Sequence, residues 1–316
     1  MNLLITGGAG FIGSHFVDLL LTDPKIMPNI SKVVVLDKLS YAGEFRNLNL
    51  VEKNSKFVFI KGDICDFELL MNIENNFDWI VNFAAESHVD RSLENPRDFV
   101  MTNVTGTVNL LNFALKANVK HFLQVSTDEV YGTISSGSWD EKSKLDPRSP
   151  YSASKAAAEL FCQAFFISHK LDVRITRSSN NFGPRQNLEK MVPKIIYSLD
   201  KKIPIPVYGS GENIRDWIYV RDHCIGLWQV IQRGKPGEIY NLGGGTEITN
   251  LELISKISQI QGSGVPKIEF VEDRKGHDFR YSLDFKKSSK ELGYRPEGEF
   301  ETDLKNTIDW FRQSKL

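Results

Sequence analysis

The sequence has few cysteines, almost no net charge and no long hydrophobic run. Its three cysteines, Cys65, Cys162 and Cys224, lie far apart and form no Cys-x-x-Cys pair, which predicts reduced thiols rather than a disulfide framework. The 39 basic and 40 acidic residues leave a formal net charge of −1, which argues against a nucleic-acid or membrane surface. The six histidines have no metal-ligand spacing, so we expect no metal site.

No apolar stretch reaches the length that a membrane-spanning helix needs, and the chain opens directly on a short strand pattern. We therefore expect a cytoplasmic protein without a signal peptide. The 316 residues, 41% hydrophobic and 25% charged, suit a globular protein of one large or two ordinary domains.

The N-terminal segment predicts a strand, a glycine-rich loop and a helix. Gly7, Gly10 and Gly13 have G-x-x-G-x-x-G spacing, and glycines so placed allow a tight turn and the approach of backbone N–H groups to a pyrophosphate. A buried strand pattern at 32–36 leads to Asp37, near the position of the acidic residue in dinucleotide-binding folds. A carboxylate there binds the ribose 2′-OH and repels a 2′-phosphate, which favours NAD over NADP.

A tyrosine and a lysine form the second candidate site. Tyr151 and Lys155 are four residues apart in a segment of good helix formers, and Ser149-Pro150 before them suits a helix start, so both side chains should share one helix face. An ammonium beside a phenol favours the phenolate. We therefore predict that Lys155 lowers the pKa of Tyr151 towards the working pH and makes Tyr151 a base.

Three polar residues follow a strand pattern at 121–126, namely Thr127, Asp128 and Glu129. Ligands of open α/β sheets bind at the carboxyl ends of the strands. These side chains and the helix of Tyr151 should therefore converge on one crevice.

These motifs resemble those of the extended short-chain dehydrogenase/reductase family, with Thr127, Tyr151 and Lys155 similar to its catalytic triad. The run Ser-Thr-Asp-Glu-Val-Tyr-Gly at 126–132 is more specific, and resembles the nucleotide-sugar 4,6-dehydratases, above all those that act on dTDP-glucose. The resemblance covers nearly the whole chain. It implies an α/β fold with a Rossmann-type doubly wound parallel sheet and a smaller C-terminal α/β substrate domain. The implied division is an NAD-binding domain at 1–179, completed by part of about 219–242, and a nucleotide-sugar-binding domain at 180–316.

The resemblance implies a redox-neutral lyase. Tyr151 would take the proton from the sugar O4 while C4 gives hydride to NAD, with Thr127 orienting the hydroxyl and Lys155 holding the ribose. Glu129 would then remove the C5 proton, and Asp128 would protonate the departing C6 hydroxyl. These opposite duties require a higher pKa at Asp128 than at Glu129.

The resemblance also implies two sets of binding residues and a homodimer formed through the helical patterns at 96–118 and around Tyr151. The residues expected to bind NAD are Gly7, Gly10, Phe11, Ile12, Gly13, Asp37, Lys38, Leu39, Ser40, Asp63, Ile64, Phe83, Ala84, Ala85, Thr102, Ser126, Tyr151, Lys155 and Asn181. The residues expected to contact a nucleotide-diphosphate sugar are Ser87, Thr127, Asn180, Glu189, Lys190, Pro206, Tyr208, Arg215, Asn250, Arg274 and His277. Of these, Arg215 and Arg274 are candidates for the diphosphate, because a planar guanidinium matches phosphate oxygens.

Two features depart from the dTDP-glucose enzymes. Residues 181–188 read Asn-Phe-Gly-Pro-Arg-Gln-Asn-Leu where many of those enzymes read Asn-Tyr-Gly-Pro-Tyr, and the loop at 133–144 is short. These departures leave the nucleotide and the sugar 2-substituent open, so a UDP-sugar dehydratase acting on UDP-N-acetylglucosamine is one alternative. The other two alternatives are a UDP-sugar 4- or 5-epimerase and a non-catalytic NAD-sensing protein built on the same fold. The Asp128-Glu129 pair argues against a 4-epimerase, and the intact triad argues against a silent protein.

Overall fold

The computed structural model describes residues 1–73 and 76–314, which form twelve strands and eleven α-helices. The strands are β1 (Asn2–Thr6), β2 (Lys32–Asp37), β3 (Phe57–Lys61), β4 (Trp79–Asn82), β5 (His121–Thr127), β6 (Asp172–Ser178), β7 (Asn180–Phe182), β8 (Ile205–Tyr208), β9 (Ile214–Tyr219), β10 (Ile239–Leu242), β11 (Glu247–Thr249) and β12 (Ile268–Val271). The helices are α1 (Phe11–Thr22), α2 (Phe67–Asn72), α3 (Val89–Glu94), α4 (Pro96–Phe99), α5 (Gly106–Lys116), α6 (Pro150–His169), α7 (Met191–Lys201), α8 (Val220–Arg233), α9 (Asn250–Gln261), α10 (Lys286–Leu292) and α11 (Phe300–Gln313).

The main sheet has seven parallel strands in the order β10-β6-β5-β4-β1-β2-β3. The order reverses between β1 and β4, which is the topological switch point where doubly wound folds bind ligands. The sheet is the Rossmann-type sheet expected from the sequence.

Side chains of the main sheet alternate between two cores. Leu3 and Ile5 of β1 pack with α1 and α8 on one face, whereas Leu4 packs with α2, α5 and α6 on the other. The sequences of such strands are almost entirely apolar because helices cover both faces of the sheet. The two helical layers thereby leave the carboxyl ends of the strands as the exposed edge of the sheet.

The remaining strands form two small sheets, β11-β9-β7 and β12-β8, packed with α7, α9 and α11 around a third core. The chain then returns to the first half, since α8 packs on α1 and β10 pairs with β6 at the edge of the main sheet. Helix α10 also packs on β10, a contact that the sequence analysis did not expect. The boundary between two domains stays a prediction.

The expected helix at 96–118 is interrupted. Helices α4 and α5 are separated by a π-helical turn at Val100–Thr105, which widens the hydrogen-bonding ring by one residue. Asn103 in this turn is buried and donates to the Ser154 hydroxyl of α6 at 2.8 Å. The turn therefore ties this helical region to the helix that carries Tyr151.

Candidate active site

Two clefts meet beside the carboxyl ends of the main-sheet strands. The first, of about 280 Å³, lies between the glycine loop and the ends of β2, β4, β5 and β6. The second, of about 620 Å³, lies between α3, α7, β8, β9 and the segment at 274–281. Glu129, Asn180 and Lys190 line both clefts and mark their junction.

The structure brings the predicted NAD-binding residues together. All of them line the first cleft except Leu39, whose backbone N–H instead donates to Asp37 at 2.8 Å. Of the predicted substrate residues, Ser87 and Thr127 line only the first cleft, and the others line the second.

The glycine loop is closely packed at two of its three spaced glycines. Gly7 has φ +68°, and a Cβ atom on it would lie 2.6 Å from the backbone N of Ala84. A Cβ atom on Gly13 would lie 2.4 Å from the carbonyl oxygen of Gly7. Any larger residue at either position would push the loop away from β4 or from α1.

Asp37 at the end of β2 supports the glycine loop. Its carboxylate accepts hydrogen bonds from the backbone N–H groups of Ala9 at 2.9 Å and Leu39 at 2.8 Å. Burial raises the pKa of Asp37, and these two backbone bonds act in the opposite direction. Each oxygen retains acceptor capacity for a hydroxyl in the first cleft.

A 3₁₀ turn at Asp128–Tyr131 follows β5 and positions the carboxyl pair. The Thr127 hydroxyl accepts from the Glu129 N–H at 3.3 Å and donates to Asp128 Oδ1 at 3.3 Å. Asp128 is 3% exposed, and its Oδ2 has no hydrogen-bond partner within the described part of the chain. Burial raises the pKa of Asp128 well above its ordinary value, and the neighbouring carboxylates of Glu129 and Asp216 raise it further.

Glu129 is half-buried, with cations around it. Burial raises its pKa, but the positive charges of Lys190, Arg215 and Arg274 oppose this rise. Burial thus raises the pKa of both carboxyl groups, while the neighbouring carboxylates add to the rise at Asp128 and the neighbouring cations oppose it at Glu129.

Helix α6 holds the tyrosine and the lysine. Ser149 caps it in a reciprocal pair with Ser152, and Pro150 occupies the first helical turn, as the sequence indicated. The sequence predicted a lowered pKa for Tyr151, whereas in this arrangement its pKa is raised. Burial raises the pKa of Tyr151, the carboxylate of Glu129 raises it further, and the hydroxyl of Thr127 opposes the rise only in part.

The Lys155 ammonium is directed at the strand end. Its Nζ donates to the carbonyl oxygen of Val125 at 2.7 Å. Burial lowers the pKa of Lys155 to about 8, against the opposing effect of the Glu159 carboxylate. The lysine is therefore still mostly charged at neutral pH.

The two predicted diphosphate ligands line the second cleft, and both already bind protein groups. Arg215 donates to the carbonyl oxygen of Asp278 at 2.9 Å, and its guanidinium lies 4.4 Å from the centre of the Tyr281 ring. Arg274 donates through Nε and Nη2 to the Asp90 carboxylate at 2.5 and 3.0 Å. Both guanidinium groups are thus held in position by the protein itself.

Comparisons with known proteins place the chain among the dehydratases. The family model described as GDP-mannose 4,6 dehydratase matches residues 4–307. The chain belongs to this family. A dTDP-glucose 4,6-dehydratase of Actinoplanes sp. is 48% identical over all 316 residues of the chain and 99% of its own length.

Solved structures of related enzymes have the same fold as this chain. The dTDP-glucose 4,6-dehydratase DesIV of Streptomyces venezuelae, solved with NAD and TYD bound, is 48% identical, covers 100% of this chain and 98% of its own, and superposes with a TM-score of 0.98. A UDP-glucose 4-epimerase of Thermotoga maritima covers 100% of both chains at 30% identity and a TM-score of 0.91. The predicted family, Rossmann-type fold and hydro-lyase class of this dehydratase are confirmed, and its predicted cofactor agrees with the NAD-bound DesIV.

The sequence analysis missed two residues of the dehydratase site. Tyr281 lines the second cleft beneath Arg215, and Asp90 holds Arg274 and accepts a hydrogen bond from Tyr208 at 3.2 Å. Asp90 is not among the residues predicted from the sequence. Its ion pair with a residue 184 positions later has no local signal in the sequence.

No helix in residues 1–73 and 76–314 is long and apolar enough to cross a membrane.

Proposed function

We propose that the protein is a NAD-dependent nucleotide-sugar 4,6-dehydratase that converts dTDP-glucose to the 4-keto-6-deoxy sugar. The observation that carries this proposal is the Asp128-Glu129 pair at the junction of the two clefts. Elimination of water needs one acid and one base close together, and the environments of these two carboxyl groups separate their pKa values in the required order.

The first cleft fits a dinucleotide. The tight glycine loop opens into the N-terminus of α1, whose N-cap residue, Gly10, has no side chain, so the terminal N–H groups are accessible to a pyrophosphate. The buried Ser126 hydroxyl has no partner within the described ranges and faces the same cleft. Asp37 would accept from a ribose hydroxyl, and Lys155 would donate to the other ribose. NAD would supply the hydride acceptor, return the hydride later, and place a positive ring charge that favours the Tyr151 phenolate.

The first chemical step takes two hydrogens from C4 and O4 of the sugar. Tyr151 accepts the O4 proton as the C4 hydride leaves, and Thr127 holds the hydroxyl in line. The resulting 4-ketone acidifies the C5 hydrogen. Tyr151 therefore acts at the beginning of the cycle and holds its proton while the elimination proceeds.

The second step removes water across C5 and C6. Glu129 takes the C5 proton, and Asp128 gives its proton to the departing C6 hydroxyl, so that water leaves and a C5–C6 double bond forms. The hydride held by the cofactor would then return to C6, Glu129 would give its proton back to C5, and the proton held by Tyr151 would reach Asp128 through solvent, which restores all three groups. The unpartnered Oδ2 of the buried Asp128 is the group available to a hydroxyl at this junction.

The second cleft would hold the nucleotide diphosphate. Arg215 and Arg274 would face the phosphates, while Tyr208 and Pro206 would lie beside the base. Since both guanidinium groups are held by protein partners, binding would cost little side-chain entropy. A preorganised pair of arginines suits two adjacent phosphates.

We further propose a cytoplasmic homodimer. Exposed apolar side chains lie on the π-helical turn and on the neighbouring α6, including Val100 at 51% and Leu160 at 56% exposure. Exposed apolar side chains on two neighbouring helical segments suit burial against a second copy. Sedimentation at two protein concentrations tests this, and a monomer at both would contradict it.

Product mass decides the reaction and the substrate. The purified protein is incubated separately with dTDP-glucose, UDP-glucose, UDP-N-acetylglucosamine and GDP-mannose. We expect loss of one water from dTDP-glucose at the highest kcat/KM. An isomer of unchanged mass that chromatography separates from its substrate would identify an epimerase, and absence of any new species by mass or retention would support a non-catalytic NAD-binding role.

A further inference from the structure

Residues 184–190, which we call the strap, cross from the second half of the chain to the first. Gln186, Asn187 and Lys190 of the strap line the first cleft. The strap also binds several separate segments that surround this cleft. These contacts join Pro184 and Arg185 to His15 and Asp18 of α1, Arg185 to Asn47, Asn187 to Tyr41, Glu189 to Arg91 of α3, and Lys190 to Ser87.

Arg185 makes three of these contacts. Its Nη2 donates to Asp18 Oδ2 at 2.5 Å and to His15 Nδ1 at 3.1 Å, and its Nη1 donates to the carbonyl oxygen of Asn47 at 2.6 Å. Its backbone has φ +67°, a left-handed conformation that is unfavourable for residues other than glycine. Such a conformation persists where surrounding contacts over-determine it.

His15 of α1 binds both Pro184 and Arg185 of the strap, and it does so as a neutral ring. The carbonyl oxygen of Pro184 can only accept, so His15 Nε2 donates to it at 2.9 Å. The guanidinium of Arg185 can only donate, so His15 Nδ1 accepts from it. Burial and the Arg185 charge lower the pKa of His15 to about 3, so the ring stays neutral and both bonds persist over the working pH range.

The residues that bind Arg185 through their side chains lie on α1, the helix that follows the glycine loop. His15 and Asp18 belong to the first two turns of α1, whose N-terminus opens into the first cleft. All of these contacts join protein groups, so they restrain the strap independently of what the cleft holds. The strap residues that line the first cleft would therefore stay in place beside a bound dinucleotide.

We propose that the strap retains NAD between turnovers and that Arg185 is the positioning residue that keeps it closed. This rests on the proposed use of NAD as a cofactor that is reduced and reoxidised within one cycle. Such a cycle never requires exchange of the cofactor. A closed strap would slow the dissociation of NAD without slowing the reaction of the bound sugar.

Exchange of bound NAD tests the proposal. The purified holoenzyme is mixed with excess radiolabelled NAD, and incorporation of label is followed by rapid gel filtration. Arg185→Gln removes the charge and two of the donors, so exchange should accelerate by about 10- to 100-fold, the factor for one lost hydrogen bond to a charged group. Arg185→Lys should fall in between, since a single ammonium can bind Asp18 but not Asn47 and His15 together.

The matched control is Arg46→Gln. Arg46 lies beside Asn47, its side chain is 63% exposed, and it pairs only with the surface carboxylate of Glu44 among the contacts that the structure records. This variant should exchange NAD at the unmodified rate. The turnover of Arg185→Gln at saturating NAD should stay within about twofold of the unmodified protein, because Arg185 lines neither cleft.

A folded Arg185→Gln protein that exchanges NAD no faster than Arg46→Gln would overturn the proposal. If Arg185→Gln does not fold, Asp18→Asn gives the same decision, since it removes the charged partner and leaves the other bonds of Arg185 in place. An unmodified protein that carries and binds no NAD contradicts the proposed function instead. The two failures are therefore distinguishable.

Discussion

Replacing Glu129 by glutamine isolates the elimination step. Glutamine has nearly the same size, but its amide is uncharged and cannot take a proton. Thr127, Tyr151 and Lys155 are unchanged, so the sugar should still be oxidised at C4. The variant should then stop at the ketone, before water is lost.

The magnitude follows from the role of the group and its surroundings. A general base contributes about 10²- to 10⁴-fold, which corresponds to about 3 to 5 kcal/mol of barrier, so dehydration should slow by that factor. Oxidation at C4 should not slow. The Glu129 carboxylate raises the pKa of Tyr151, and an uncharged amide removes that effect and makes the phenolate easier to form.

Rapid mixing of the Glu129→Gln holoenzyme with dTDP-glucose should show a build-up of NADH absorbance that the unmodified enzyme does not reach. The control is Glu212→Gln, which changes an exposed carboxylate outside both clefts and should behave as the unmodified enzyme. Dehydration by Glu129→Gln at the normal rate would refute the assignment and move the base to Asp128 or to another residue.

Three further predictions concern the first cleft. Tyr151→Phe should reduce kcat by about a hundredfold or more while NAD content stays near normal, and nearly unchanged turnover would place the proton shuttle elsewhere. Asp37→Ala should weaken the preference for NAD over NADP in binding titrations, and an unmodified protein that prefers NADP would contradict the role of this carboxylate. Lys155, whose pKa is about 8, is charged below that value and loses its charge as the pH rises through it. We therefore expect kcat to fall on the alkaline side of about pH 8, and a rate that stays flat well above this pH would exclude a requirement for the ammonium.

Local signals predicted much of the fold and of the first cleft. The glycine spacing predicted the loop because Gly7 and Gly13 meet backbone atoms within a few ångströms. Ser149-Pro150 predicted the start of α6 because capping depends on residues within one turn. Strand patterns predicted the carboxyl ends where Thr127 and Asp37 lie. Each of these features depends on neighbours in sequence or on the period of a strand.

Features set by distant residues were not predicted. The π-helical turn at Val100–Thr105 adds one residue to a helical turn, and no sequence pattern indicates it. Its structural role is the hydrogen bond from Asn103 to Ser154, a residue of another helix. The direction of the Tyr151 pKa shift was wrong for a related reason. Spacing on one helix suggested a nearby cation, whereas burial and the carboxylate of Glu129, from another element, determine the shift.

Residues from both halves of the chain influence the pKa values of Asp128 and Glu129. Thr127, Asp128 and Glu129 follow β5 of the main sheet, but the cations that oppose the rise in the Glu129 pKa come from Lys190 and from the arginines of the second cleft. Around Asp128 the carboxylates of Glu129 and Asp216 act in the opposite direction. The second half therefore contributes cations that oppose the rise at Glu129 and the Asp216 carboxylate that adds to the rise at Asp128, which is the direction that the proposed base and acid require.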